Sequence, residues 1–329
     1  NKGDGARKFL DELLTWRELA FNFCFHTPDP ESLNAVPDWA RDTLMAHAGD
    51  ARPRIVDTES LGRAQSGDAL WDLAQTSLLR HGELHNNLRM TWAKALLQWR
   101  RTPEDALHTL IELNHRLALD GSDPNSYGGI LWALGLFDRP FSDMPVSGRL
   151  RTRSTAQHAT RLDTRKFSKW AKRPGCGRER RIAVIGAGLS GLSAARLLHD
   201  HGHDVTVFEK SRGLGGRTAT RRFGDIGFDH GAQYFTVQNP VLRDVVNAWV
   251  ENGVVQPWEG CLARWENGQL APSGDTRTRF VAVPGMSALA RHLGKGLSIV
   301  PHTRVAPPEI SDGHWILRSE EGRSLGGYD

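Results

Sequence analysis

The chain has 329 residues, 39% hydrophobic and 24% charged, a balance that excludes a wholly disordered or collagen-like chain and leaves room for two ordinary domains. A formal net charge of +4 is compatible with binding an acidic polymer such as DNA without requiring it. The three cysteines, Cys24, Cys176 and Cys261, are too few and too scattered for a disulfide framework or a zinc cluster. No metal site is therefore expected, and the thiols read as buried or incidental ones in a reducing compartment. No apolar run is long enough to span a membrane and no secretory leader is visible, so the expected location is cytoplasmic.

The chain does not begin with Met and enters a helical pattern almost at once, so a missing upstream segment is expected. From Phe9 to Asn22 the spacing predicts a helix with Phe9, Leu13, Trp16 and Ala20 on one side. Further helices are predicted from Pro37 and Trp39 to His47, from Asp68 to Arg80, and from Met90 to Trp99. Thr102 as N-cap and Pro103 at the first helical position open another, over Glu104 to Leu119. DGSDPNSYGG then reads as a turn-rich loop. Residues 1–150 are thus expected to form an all-α domain, and the Arg-, Lys- and Thr-rich stretch 151–180 a basic linker. Arg181 to Ile185 is a short apolar strand, GAGLSG follows directly, Leu192 to Asp200 is helical and DVTVFEK is a second strand. Residues 181–329 are expected to be an α/β Rossmann-type domain with part of an α+β substrate domain.

Eleven tryptophans against three tyrosines make the tryptophan positions worth tracing. Trp92 and Trp99 lie two helical turns apart on one face, and packing can bring Trp71 to them. Such a stripe serves either as core or, beside an excited flavin, as an electron conduit. His85, Asn86, Arg89 and Met90 share about one and a half helical turns; Asp120, Asp123 and Asn125 share a compact loop. An Arg facing an Asp can hold a negatively charged cofactor ring, and the same residues also suit a surface helix beside a capping loop.

FLDELLTWRELAFNFCFHTP, the WDLAQ segment, GELHNNLRMTWAKALLQW and LNHRLALDGSDPNSYGGILWALGLFDRP resemble, in order, successive blocks of class II cyclobutane-pyrimidine-dimer photolyases. The resemblance implies a helical domain holding a U-shaped FAD, with Arg89 and Asp120 paired beside the flavin ring and Asp123 and Asn125 on the same cofactor-binding loop. It places Asn114 near flavin N5, with Asn125 a rival for that role. Trp92, Trp71 and Trp99 correspond to the photoreduction chain, Trp92 nearest the flavin. On the lesion side it implies Glu12 hydrogen-bonding a thymine carbonyl, Trp16 and Trp132 as aromatic walls, and Asn86 and Met90 lining the pocket. The implied reaction is electron donation from reduced FAD to a pyrimidine dimer flipped out of DNA, followed by ring splitting and electron return. Arg149, Arg151, Arg153, Arg161, Arg165 and Lys166 either contact phosphates or belong to a solvated linker. Asn87 and Thr91 stand where tyrosines are expected, Ser122 where an Arg is, and Asp72-Leu73 in place of Asn-Ala. The antenna domain and early FAD-phosphate blocks of the family have no counterpart in this sequence.

In the second segment Gly186, Gly188 and Gly191 form GxGxxG between strand and helix. Glu209, at the end of the next strand, suits the ribose hydroxyls of FAD or NAD. RGLGGRTATRR, FDHGAQYF and VAVPGMSALARHL resemble the amine-oxidase-like flavoproteins, above all the renalase-like oxidoreductases. The resemblance implies FAD contacts from Arg212, Gly215, Gly216 and Arg217, a flavin-proximal block at Gly231, Ala232 and Gln233, and a dihydronicotinamide or amine substrate. His230 has no evident acid or base partner in sequence, and the late segment that completes FAD binding in that family is expected to be missing. The leading expectation is a DNA-repairing lyase fused to an FAD-dependent oxidoreductase. The alternative is a working oxidoreductase with a nonrepairing first segment.

Overall fold

The computed structural model describes residues 2–260 and 262–329; Cys261 and the side chain of Cys176 therefore lie outside the described residues. The chain divides into two compact units, Asn1–Cys176 and Gly177–Asp329.

The first unit is built of helices α1 (Lys2–Leu10), α2 (Arg17–His26), α3 (Asp38–Ala46), α4 (Thr58–Gly62), α5 (Ala69–His81), α6 (Asn86–Trp99), α7 (Pro103–Leu117), α8 (Pro124–Ala133), α9 (Thr155–Ala159) and α10 (Thr164–Ala171). Local signals explain many of the ends. Asp68 accepts the Trp71 N–H at 3.0 Å to start α5, and Gly82 at φ 68° stops it. Thr102 accepts the Asp105 N–H at 3.1 Å ahead of Pro103. Helix α6 begins four residues before its predicted start because His85 Nδ1 accepts the Asn87 N–H. The core gathers Trp71, Trp92, Leu96, Leu110, Leu113 and Leu131, all essentially buried.

Three expectations change. The predicted apolar face Phe9–Leu13–Trp16–Ala20 does not form: Phe9 is 64% and Leu13 44% exposed, while Ala20 is buried. A π-helical turn, Asp11–Trp16, joins α1 to α2, and its wider i→i+5 bonding breaks the 3.6-residue phase between the two halves. Second, PNSYGG is not loop but the start of α8, capped by Asp123 with Pro124 in the first turn. Gly128 is tolerated there because α8 lies against α2; a Cβ on it would come within 2.8 Å of the Ala20 Cβ. Third, residues 151–171 are not linker but carry α9 and α10, folded onto the helical unit. Phe167, Trp170 and Ala171 follow helical spacing. Ala171 is fully buried, and Trp170 packs 5.3 Å from the His81 ring. The abundance of charge in this stretch obscures that face.

The second unit comprises β1 (Arg181–Ile185), α11 (Leu189–Asp200), β2 (Asp204–Phe208), β3 (Thr220–Phe223), β4 (Ile226–Asp229), β5 (Phe235–Thr236), α12 (Pro240–Glu251), β6 (Val255–Pro257), β7 (Ala263–Glu266), β8 (Gln269–Pro272), β9 (Arg279–Ala282), α13 (Ser287–Gly294), β10 (Ser298–Val300), β11 (Glu309–Ser311), β12 (His314–Arg318) and β13 (Ser324–Tyr328). Strands β1, β2 and β10 form a parallel sheet with β2 central, in register from Arg181↔Asp204 to Ile185↔Phe208. Leu192 and Ala195 of α11, together with Val205 and Val207 of β2, belong to the buried core of this unit. Short antiparallel sheets β5-β9-β6, β3-β4, β7-β8 and β11-β12-β13 complete it. The architecture is a helical region followed by a mixed α/β region with a Rossmann-like βαβ unit. No helix among the described residues is long and apolar enough to cross a membrane.

Candidate functional site

In the helical unit, Asn86, Arg89 and Met90 lie within the first turns of α6, at spacings that put them on neighbouring parts of its surface. Arg89 grips Asp120 with both prongs, Nη1 to Oδ2 at 3.2 Å and Nη2 to Oδ1 at 3.1 Å, which fixes the orientation of the guanidinium as well as its place. A tight turn after α7 delivers Asp120: a Cβ on Gly121 would come within 2.5 Å of the Asn114 carbonyl. Asn114 is buried and donates its Nδ2 to the Gly121 carbonyl at 3.1 Å, while its Oδ1 has no partner among the described residues.

Arg89, Asp120 and Asn125 share a cavity of about 220 Å³ with Glu12, Trp16, Asn86 and Trp132. These residues come from the π-turn, α6, the aspartate loop and α8. An adjoining cavity of about 520 Å³ keeps Glu12, Asn86 and Trp132 as walls and adds Met90 and Lys94. Trp16 and Trp132 lie directly against one another, ring centroids 4.4 Å apart and planes tilted by 32°, with Phe137 edge-on to Trp132 at 6.2 Å. They therefore make one continuous aromatic wall rather than two opposed faces. Glu12 is paired with Lys8 at 2.7 Å and accepts a long contact from Asn86 Nδ2 at 3.5 Å.

The three tryptophans also meet. Trp71 stacks on Trp92 at 6.1 Å with planes 9° apart and meets Trp99 edge-on at 5.6 Å, so it is the middle ring. Asp123 has a different setting from the one expected: its carboxylate caps α8 and pairs with Arg17 at 3.1 Å, and it does not line the cavity. Asn114 likewise lies outside the cavity wall. Asp72 accepts the N–H and hydroxyl of Ser66 and the N–H of Gly67, securing the turn before α5.

Lys94 escaped the sequence reading. It is buried, donates to the Ala133 carbonyl at 2.9 Å, and burial pulls its pKa down to about 8 against a partial offset from Asp138. Its signal was a lone cation in the apolar run WAKALLQW, one turn beyond Met90.

In the second unit the two glycine turns lie together. Gly186 adopts φ +103°, and Gly188 pairs with Gly215 as an isolated parallel bridge, the Gly215 N–H reaching the Ala187 carbonyl at 2.9 Å. Arg217 accepts the Ala232 N–H at 2.8 Å on its carbonyl, tying the block that contains Gly231 and Gln233 to the stretch beginning at Gly216. Glu209 is buried, one carboxylate oxygen accepting the Ala187 N–H at 2.7 Å and the other the Ser211 N–H at 2.8 Å. Burial works to raise its pKa, but the Ala187 and Ser211 N–H groups, the Ser211 side chain and the Lys210 charge together hold the carboxylate below its ordinary range. Arg212 and His230 line a cavity of about 940 Å³ with Arg221, Arg222 and Arg291. No group of three metal-ligating side chains comes together among the described residues.

The glycine turn yields a direct test. A Cβ on Gly191 would sit 2.0 Å from the Gly186 carbonyl oxygen, and both partners are backbone. Gly191→Ala is expected to destabilise this unit by roughly 1–3 kcal/mol or more, read by urea unfolding. A wild-type midpoint would mean that the turn is not packed this closely.

Comparison with known proteins follows the same division. The family model for an NAD(P)-binding Rossmann-like domain matches residues 184–249. Over 166 residues the chain is 41% identical to a deoxyribodipyrimidine photo-lyase of Oryza sativa subsp. japonica, covering 50% of this chain and 33% of that protein. It is 38% identical over 167 residues to the deoxyribodipyrimidine photo-lyase of Potorous tridactylus, covering 50% and 31%. A 4,4'-diapophytoene desaturase of Staphylococcus aureus (strain Newman) is 40% identical over 72 residues, 22% of this chain and 14% of that one. A redesigned putrescine oxidase overlays at a TM-score of 0.35 with 13% identity, over 44% of this chain and 56% of its own. The matched stretch spans about a third of the length of these photo-lyases. Half of this chain is homologous to deoxyribodipyrimidine photo-lyases, and residues 184–249 form a Rossmann-like nucleotide-binding domain.

Proposed function

We propose that the helical unit performs light-driven repair of cyclobutane pyrimidine dimers in DNA, with FAD as its cofactor. The observation that carries this reading is the meeting of Glu12, Trp16, Asn86, Arg89, Asp120 and Trp132, from separate stretches of chain, around one cavity. The donor set suits a flavin ring: a bidentate Arg89–Asp120 pair and the Asn125 amide on the same wall. A reduced flavin supplies the light-driven electron that opens the cyclobutane ring and receives it back. Arg89 balances negative charge at the ring and Asp120 holds that guanidinium in place. Trp16, Trp132 and Phe137 present an apolar wall to a flipped-out dimer and displace water from it. Glu12 and Asn86, on the same cavity wall, offer hydrogen-bonding groups to the polar edge of a thymine. Trp92, Trp71 and Trp99 give an internal route for electrons to the cofactor.

The test is blue-light cleavage of dimers in an irradiated thymine oligonucleotide by the complete, FAD-loaded protein, compared with the dark reaction. Trp16→Ala is expected to weaken binding of the dimer-containing strand by about 1–3 kcal/mol, the value of one base–aromatic stack, with the fold retained. Absence of light-dependent cleavage by the loaded protein sinks the repair reading.

A second reading makes the Rossmann-like unit an FAD-dependent oxidoreductase acting on a dihydronicotinamide or an amine, with a helical unit that does not repair. The contact between its two glycine turns favours it. Oxidation of a dihydronicotinamide without dimer cleavage selects this reading, and two flavins per chain with both activities supports a bifunctional protein.

A further inference from the structure

Lys94 is a buried amine on a cavity wall, and the repair reading gives it no part. Its cavity, of about 520 Å³, has Phe9, Met90 and Trp132 among its apolar walls and holds two carboxylates, Glu12 and Asp138. Both are committed to other cations, Glu12 to Lys8 at 2.7 Å and Asp138 to Arg151 at 3.4 Å. Lys94 has no ion pair among the described residues. Its Nζ donates at 2.9 Å to the carbonyl of Ala133, a neutral acceptor at the end of α8. Of the charges that act on it, Asp138 favours the ammonium while Arg151 and Arg153 oppose it; His85 also stands on the wall. Burial outweighs them all and favours the neutral amine, bringing the pKa to about 8. At pH 7.5 roughly one Lys94 in four then has a free lone pair, against roughly one in a thousand for a lysine at 10.5. Lys8 on the same wall is the opposite case: it is exposed, and its contacts with Glu12 and Asp11 raise its pKa.

We infer that Lys94 is a nucleophilic amine that forms an imine with an aldehyde sugar entering this cavity, the ring-opened deoxyribose of an abasic nucleotide. Nζ adds to the aldehyde carbon, the former carbonyl oxygen leaves as water with the two amine protons, and C=N replaces C=O. The step consumes neither oxidant nor reductant, and a desolvated lysine in apolar surroundings is the form of amine that it needs. The cavity shares Glu12, Asn86 and Trp132 with the smaller one beside it, so a base against Trp16 and Trp132 brings a neighbouring sugar of its strand to the Lys94 cavity. A nucleotide without a base has no pairing to lose on leaving the helix. The choice of a strand rests on the nucleic-acid reading above; a free aldehyde sugar offers the same group.

The experiment incubates the full-length protein with a DNA strand carrying one abasic site, or with 2-deoxyribose 5-phosphate, and reduces any imine with cyanoborohydride. Mass spectrometry then maps the adduct. A covalent adduct on Lys94 is expected, and Lys94→Arg, which keeps the charge and a donor for the Ala133 carbonyl but stays protonated, is expected to abolish it. An adduct with the strand assigns the site to an abasic nucleotide; one with the sugar phosphate alone assigns it to a free aldehyde. Adducts confined to exposed lysines such as Lys8, or undiminished in a folded Lys94→Arg protein, overturn the inference. Competitive acetylation of the wild type needs no variant: Lys94 is expected to label with a midpoint near pH 8, and a midpoint near 10.5 overturns the inference as well. A Lys94 adduct in a protein that cleaves no dimers would remove the repair reading and leave this site standing; dimer cleavage without an adduct would do the reverse.

Discussion

Replacing Trp71 with Phe is expected to abolish blue-light reduction of the flavin in the complete, FAD-loaded protein while its helical fold persists. Trp71 is the middle ring, in contact with Trp92 on one side and Trp99 on the other. Trp71 donates its indole N–H to the Trp92 carbonyl at 3.0 Å, and Trp92 donates its own to Gln75 Oε1 at 2.9 Å. Both acceptors are neutral amide oxygens and poor proton acceptors. An indole that has lost an electron here therefore tends to keep its proton, and the positive charge passes to the next ring. Trp99 lies under the Arg54 guanidinium at 4.1 Å and is the outermost ring of the proposed path. Phenylalanine fills much of the same space but is far harder to oxidise. The lost hydrogen bond and missing atoms are expected to cost about 1–3 kcal/mol of stability, which circular dichroism and urea unfolding would register. The functional readout is flavin absorbance under blue light with a thiol as terminal electron donor. Photoreduction at the wild-type rate would show that electrons reach the cofactor by another route.

Lys94 carries the second large expectation, a stability that rises with pH. Its folded pKa of about 8 lies below the ordinary 10.5. Between these values the unfolded chain holds a proton that the folded chain has released, so alkalinity favours the fold. The gain from pH 8 to 10.5 is expected to reach about 3 kcal/mol, with no contribution to the slope well below pH 8, where both states are protonated. Tyr127 acts in the opposite sense above its ordinary 10.0, because burial and its hydrogen bond to Glu31 push its folded pKa to about 12. The clean observable is therefore the difference between wild type and Lys94→Met in urea unfolding from pH 7.5 to 10. The variant loses the donor to the Ala133 carbonyl, a roughly constant offset, and with it the alkaline rise. Parallel pH dependences in the two proteins would mean that Lys94 titrates as an exposed lysine does.

Much of the candidate site was legible because its residues sit in short runs with strong local meaning. LHNNLRM places Asn86, Arg89 and Met90 on the first turns of one helix, and GAGLSG between strand and helix leaves few alternatives for Gly186, Gly188 and Gly191. Other features were hidden for identifiable reasons. The π-turn has no local residue signature, yet it turns Phe9 and Leu13 out to solvent. In α10 a buried stripe is diluted by lysines and arginines, so composition suggested a linker where Ala171 and Trp170 pack. Asp123 was grouped with Asp120 because both carboxylates share a loop, but capping α8 and pairing with Arg17 take the first away from the cavity that the second lines.

The amino-acid sequence by itself determined the helical caps, the order of helical unit and βαβ unit, the bidentate chemistry open to Arg89 and Asp120, and the three tryptophans available to one another. These depend on interactions within a few residues or on side-chain type. Tertiary structure alone decided that Trp16 and Trp132 form a single wall, that Lys94 is buried beneath Ala133, and that the carboxylates sharing its cavity, Glu12 and Asp138, are paired with other cations. Burial and charge compensation depend on which distant segments meet, and no local pattern encodes that meeting.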